Sequence, residues 1–175
     1  AASDVYKRQI FKRTQRSPTG RLNPNDLMNS PVVEIVHGSP EYERECLLRD
    51  GLLRAPLGLS LYDEGLAAEA AYHHFGIFSS ISSDCVACLV AVPFDGGLFQ
   101  LKQMVVSEDW QKKGVGSRLL REAEARLASY GARRFYLHAR ESGIEFYRKH
   151  GFEPVGESFE EVTIPHVRME KHIDG

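Results

Sequence analysis

Apolar positions along the chain recur at two different periods, and the switch between them sorts it into elements. Val32-Val33-Glu34-Ile35-Val36 is a β-branched run that predicts a first strand. Ser39-Pro40-Glu41 has the form of a helix start, with proline just inside and acids in the first turn. That helix is expected to turn Cys46, Leu47, Leu48, Leu52 and Leu53 toward the core. Leu57-Gly58-Leu59-Ser60-Leu61 breaks it, and Glu64 to His74 predicts a second, shorter helix.

From Phe75 the period falls to two. Residues 75–80, 85–92 and 98–106 predict three consecutive strands, the last two joined by the hairpin turn Asp95-Gly96-Gly97. Gly114 to Tyr130 predicts the longest helix, with Val115, Leu119, Leu120, Ala123 and Leu127 on one face and Gly131 as its stop. Arg133 to Ala139 reads as a strand and Ser142 to Lys149 as a short helix ended by Gly151. Two last strands, 152–159 and 166–172, flank a turn placed at Pro165. The order βααβββαβαββ predicts an α/β fold of α+β type, a mixed sheet of about seven strands with about four helices on both faces.

Composition narrows the function classes. With 175 residues, 42% of them apolar and 26% charged, the chain has enough material for one globular core. Its net charge of -2 argues against a general nucleic-acid or membrane-surface binder, and no apolar run reaches the length of a membrane span. Three cysteines, Cys46, Cys85 and Cys88, are too few for a disulfide framework, which points to free thiols in a reducing cytoplasm. The charge is uneven: six basic residues against Asp4 precede Leu22, about +5, leaving about -7 for the remainder. That start reads either as a basic arm for nucleic acid or, the favoured reading, as a disordered extension. The run Ser3-Asp4-Val5-Tyr6-Lys7-Arg8-Gln9 resembles the peptide obtained when sequencing-adapter DNA is conceptually translated, so residues 1–30 are expected to be a non-native addition to a domain spanning 31–175.

The candidate chemistry gathers in Met104-Val105-Val106-Ser107-Glu108-Asp109-Trp110-Gln111-Lys112-Lys113-Gly114-Val115-Gly116. A strand runs into a loop whose glycines open a long amphipathic helix. Helix N-terminal amides lack internal acceptors and, with the helix dipole, favour an anion. Lys112 and Lys113 add positive charge beside them. Neither the P-loop G-x-x-x-x-G-K-[ST] nor the dinucleotide G-x-G-x-x-G is present in this segment.

Gln111-x-x-Gly114-x-Gly116 after a Val-Val strand resembles the Q/R-x-x-G-x-G/A signature of the GNAT acetyltransferases. Phe146-Tyr147-Arg148-Lys149-His150-Gly151-Phe152 is similar to that family's F-Y-x-K-x-G-F element. Glu160-Glu161-Val162-Thr163-Ile164-Pro165-His166-Val167-Arg168-Met169 is similar to the ending of its ElaA-type branch. The resemblance implies the acyl-CoA N-acyltransferase fold, often dimeric, and acetyl-CoA as co-substrate of a small-molecule or peptide amine. It places CoA on Met104, Val105, Val106, Gln111, Lys112, Lys113, Gly114, Val115, Gly116 and Ser117, between strands 98–106 and 133–139 that splay apart, with pantetheine added to the edge of Met104-Val105-Val106. A backbone N–H near Val105 would polarise the thioester carbonyl. Tyr147 falls where the family keeps its acid, which protonates the departing sulfur, or else it packs its helix on the sheet.

Glu160, Glu161 and His166 are candidate bases, with Glu160 and His166 favoured; Gln100 stands near where some relatives carry a basic glutamate, and glutamine cannot take a proton. His138 shares with Tyr136 the side of its strand opposite Phe135 and Leu137, and packing is its expected role. Arg54, Glu69 and His73 are candidates for the substrate pocket. His73-His74 and Cys85-x-x-Cys88 invite zinc, but residues three apart on a strand point to opposite faces and no second close pair follows, so no metal is expected. The alternative to an enzyme is a non-catalytic acyl-CoA-binding module.

Overall fold

The computed structural model describes residues 29–173; the expectation for the basic start therefore lies, for residues 1–28, outside the described residues. Seven strands form one sheet in the order β1-β2-β3-β4-β5-β7-β6. They are β1 (Val32–Ile35), β2 (His73–Phe78), β3 (Cys85–Phe94), β4 (Leu98–Val106), β5 (Arg134–Arg140), β6 (Glu153–Glu161) and β7 (Ile164–His172). Among the described residues only β4 and β5 run parallel; every other neighbouring pair of these strands is antiparallel. Among the described residues three α-helices pack on it, α1 (Pro40–Arg49), α2 (Val115–Ser129) and α3 (Ile144–Lys149).

One face of the sheet is closed by α2. Leu119, Leu120, Ala123 and Leu127 are fully buried in a cluster with Phe75, Ile77, Leu89, Leu101, Phe135 and Leu137. Each such leucine is worth about 1.5–3 kcal/mol, which makes this layer the main source of stability. Ahead of β1, Ser30 is already buried, and its carbonyl accepts from Arg118 Nη1 of α2 at 2.7 Å.

The other face carries α1, and here the pattern misleads. The buried positions are Tyr42, Glu45, Cys46 and Arg49, spaced three and four apart, while Leu47 and Leu48 are half-buried. The helix shows the sheet two charged side chains, because each finds a partner there. Its N-terminus is as expected: Ser39 Oγ accepts from Tyr42 N at 3.2 Å.

Four further local readings change. The second helix is a 3₁₀ segment, Leu66–Ala71, and β2 already begins at His73. A π-helical turn, Asp50–Arg54, follows α1, and Leu52 and Leu53 lie on it rather than in a continuous helix. The last hairpin turns at Val162 and Thr163, with φ 49° and 61°, while Pro165 sits inside β7 opposite Glu160. A bulge between Ile77 and Phe78 offsets strict alternation in β3, so Cys85 and Cys88 share one buried cluster with Val105. All three cysteines are free, and among the described residues no group of three or more His, Cys, Asp or Glu is arranged to hold a metal ion.

Candidate active site

The parallel pairing of β4 and β5 ends early. It runs from Leu98 opposite Arg134 to Leu101 opposite Leu137 and stops. Beyond that point β4 stays on β3, with Val105 opposite Cys88 and Val106 opposite Ala87. β5 stays on β7, with His138 opposite Arg168 and Arg140 opposite His166. The two strands thus fork, and the side of Lys102–Val106 turned toward β5 has no ladder.

The fork has a local cause. β4 carries an irregularity in its pairing with β3 between Cys88 and Val90, and Gln103 lies there with φ 50°. A non-glycine residue at positive φ needs compensation. Arg49 supplies it, its Nε donating to Gln103 Oε1 at 2.5 Å. The same guanidinium donates to Glu69 from Nη1 at 2.9 Å and from Nη2 at 2.5 Å, and to Glu45 at 3.4 Å. Tyr42 OH donates to Glu69 at 2.7 Å, and His74 Nδ1 lies 2.9 Å from Glu45. Arg49, Glu45 and His74 are wholly buried. Burial acts against the Arg49 charge, but Glu69 and Glu45 outweigh it and hold its pKa above the ordinary value. Burial likewise pushes the Glu69 carboxyl up, yet Arg49 and Tyr42 bring it below the usual carboxylate range.

Downstream of the fork, Gln111 Nε2 donates to the Val106 carbonyl at 2.9 Å and ties the loop to the end of β4. Lys112 and Gly114 take φ of 58° and 80°, which folds the loop tightly in front of α2. Lys113 lies back along it, donating to the Asp109 carbonyl at 2.7 Å with its ammonium 5.0 Å from the Trp110 ring. Unlike α1, α2 receives no side-chain cap. The amides of Val115, Gly116 and Ser117 are thus free of the usual cap, the condition for an anion site. Gly116 borders β4: a Cβ there would stand 3.4 Å from both Met104 Cε and Val106 Cγ2. Its missing side chain lets the start of α2 pack closely against β4.

Tyr147 reaches the groove at the fork from α3. Its hydroxyl lies 3.8 Å from Met104 Sδ, and its ring packs edge-on to Phe146 and Phe152. Burial pushes the phenol up to about 12, so the hydroxyl keeps its proton. The other two candidates are less committed. Glu160 is exposed on β6. His166 points Nδ1 at its own hairpin, 2.7 Å from the Ile164 carbonyl. Close by, a cavity of about 410 Å³ is lined by Arg140, Glu141, Ser142, Ile164 and Pro165.

Several sequence candidates lie elsewhere. Glu69 belongs to the buried Arg49 network, and Arg54 pairs with Glu64. His73 stacks on Tyr130 and bonds to Glu34 at 2.9 Å, on the face beneath α2. Gln100 lies in the paired part of β4, opposite Tyr136. Conversely, Gln103 and Arg49 escaped sequence reasoning. Their one legible signal is the Glu45/Arg49 spacing of four on a core-facing helix.

Comparison with known proteins agrees with this geometry. Residues 64–173 match the Acetyltransferase (GNAT) domain family. The chain belongs to the GNAT acetyltransferase family. A Bacillus subtilis relative, the uncharacterized N-acetyltransferase YjcF, is 33% identical over 76 residues, 43% of this chain; the match spans 54% of that relative's length. Escherichia coli ElaA shares the GNAT fold with a TM-score of 0.69 at 21% identity, covering 82% of this chain and 99% of ElaA. An aminoglycoside 6'-N-acetyltransferase complexed with coenzyme A gives 0.66 at 21% identity, over 83% of this chain and 98% of its own. A GNAT acetyltransferase from Elizabethkingia anophelis with acetyl-CoA bound gives 0.60 at 17% identity, over 83% and 99%. No helix among the described residues is long and apolar enough to cross a membrane.

Proposed function

We propose that the chain is an acetyl-CoA-dependent N-acetyltransferase that moves the acetyl group directly to a primary amine of a small molecule or peptide. The observation that carries this reading is the fork between β4 and β5, opening beside an uncapped helix N-terminus. Family relatives solved with coenzyme A and with acetyl-CoA support the choice of co-substrate.

The residues fit such a molecule. Amides from Lys112 to Ser117 would receive the pyrophosphate, with Lys112 and Lys113 adding charge and Gln111 tying the loop to β4. The unpaired side of Met104, Val105 and Val106 would take pantetheine as a sheet takes an added strand. Acetyl-CoA brings an activated acyl group, so the protein's work is to orient it, polarise its carbonyl with a β4 amide, and handle protons. Tyr147, with its hydroxyl beside Met104 and its proton retained, would donate to the leaving thiolate.

Calorimetric titration of the full chain with acetyl-CoA, CoA and ATP tests the reading. Binding of both CoA species and not ATP is expected, followed by thiol release when amines are added. Binding without thiol release from any amine would make the chain an acyl-CoA-binding module. No binding by folded protein would make the loop structural and end the proposal.

A further inference from the structure

His138 is the first residue of β5 beyond the last β4–β5 pair, so it stands where the sheet opens. Its Nδ1 lies 2.7 Å from Glu161 Oε2, reaching from strand β6. A carboxylate only accepts, so the ring nitrogen facing it carries the hydrogen, and the lone pair of the neutral ring resides on Nε2. Nε2 has no hydrogen-bond partner among the described residues. The ring is packed edge-on to Phe159 with centroids 4.8 Å apart, and Tyr136 flanks it at 5.9 Å. Its side chain nonetheless stays 26% exposed.

We infer that His138 is the base that takes the proton of the acceptor amine, with Glu161 as the residue that positions it. The inference rests on the reading of the chain as an N-acetyltransferase. Neighbouring charges leave the role to this pair. Arg168, the cross-strand partner of His138, lies over Tyr136 with its guanidinium 4.1 Å from the ring centre and donates to Glu170 at 2.7 Å. Arg140, next on the same face of β5, stands opposite His166, whose Nδ1 is turned to its own backbone. Glu160 has no partner that would orient it among the described residues, so it lacks the fixed geometry a base needs. Acid and base also address the fork from opposite sides. Tyr147 packs on the cluster that holds Leu137 and Ala139, whereas His138 alternates to the other face of β5.

The protons balance. The ammonium gives one proton to His138 Nε2, which passes it to solvent. The freed amine forms the C–N bond and the C–S bond breaks, its electron pair going to sulfur. Tyr147 gives sulfur a proton and is restored by the second proton of the amine nitrogen. Amide, free thiol and one solvent proton result.

Thiol release from acetyl-CoA by the full chain is followed from about pH 5 to about pH 10 with spermidine, kanamycin, phenethylamine and lysine methyl ester. His138→Gln is expected to lose about 10²-fold in kcat, to keep its KM for acetyl-CoA, and to lose the rise of rate with pH. Imidazole added to His138→Ala is expected to restore turnover, which it would not do for a packing residue. A His138→Gln profile like that of the wild type overturns the inference while leaving the acetyltransferase reading intact. If the wild type itself acetylates none of the amines, that reading falls and the base assignment with it. Should His138→Gln fail to bind acetyl-CoA, Glu161→Gln decides, since that side chain is about half exposed: a loss of about tenfold supports the pair, and no loss overturns it.

Discussion

Arg49 Nε and Gln103 Oε1 meet at 2.5 Å across 54 residues of sequence, joining the buried face of α1 to the irregular residue of β4. Arg49 thus acts on the fork from behind, without reaching the groove that Tyr147 faces. Gln103→Ala would leave Arg49 paired with its two glutamates and, as the loss of one hydrogen bond to a buried charged group, cost about 1.5–3 kcal/mol. Arg49→Met would leave Glu45 and Glu69 buried without their cation, a loss of about 3–5 kcal/mol. Urea denaturation of both variants checks the order, and a smaller loss for Arg49→Met than for Gln103→Ala would contradict it.

Glu69 gives that network a pH signature. Its folded-state carboxyl titrates below the usual carboxylate range because Arg49 and Tyr42 overcome the upward push of burial. A depressed acid stabilises the fold above its unfolded pKa, about 4.3, and that stability is lost as pH falls through the lower folded value. The stability gap between wild type and Glu69→Gln should therefore be full at neutral pH and shrink below about pH 4. A gap that stays constant in acid would show that the carboxylate charge is not what matters.

Tyr147→Phe tests the proposed acid. The variant keeps the packing with Phe146 and Phe152 and loses the hydroxyl beside Met104, so kcat should drop about 10²-fold with little change in stability. Because burial holds the phenol at about 12, the wild-type donor remains protonated through the mildly basic range. A fall of wild-type kcat near neutrality would have to come from another group. Wild-type turnover by the Phe variant would remove Tyr147 from the chemistry.

The β6–β7 hairpin carries local strain. Val162 and Thr163, both β-branched, hold φ of 49° and 61° at its tip. Two consecutive positive φ values are the preference of Asn-Gly, and left-handed backbone costs an ordinary residue about 1–2 kcal/mol. Val162→Asn with Thr163→Gly should raise the melting temperature by several degrees. An unchanged or lower value would mean that the tip relaxes in solution.

The parts of this fold that could be read in advance are those where burial and composition agree. α2 was legible because its leucines are the side chains it buries, and β4 because its strand leads straight into the glycine loop. α1 was legible as a helix but not in orientation, since apolarity cannot announce that Glu45 and Arg49 face inward. The last turn is not legible at its true place, because Val162-Thr163 bears no turn chemistry and Pro165 does. At the site, the loop residues were visible as a motif. The fork between strands 98–106 and 133–139 follows only from the family resemblance and not from local pattern, because it depends on register among three strands and on the φ of Gln103. His138 and Glu161 are 23 residues apart, and only the fold makes them a pair.

The fork also leaves a raw seam in the middle of the sheet. Natural sheets guard such open backbone, since it invites pairing with another chain. Here the seam lies between β4 and β5, where a thin extended molecule can enter and a second protein strand would meet the flanking elements. Loaded chain would then differ from empty chain chiefly in amide exchange: hydrogens along Lys102–Val106 that trade rapidly with solvent when empty would become slow once the seam is closed. On the proposed reading, the co-substrate would be the strand the polypeptide omits.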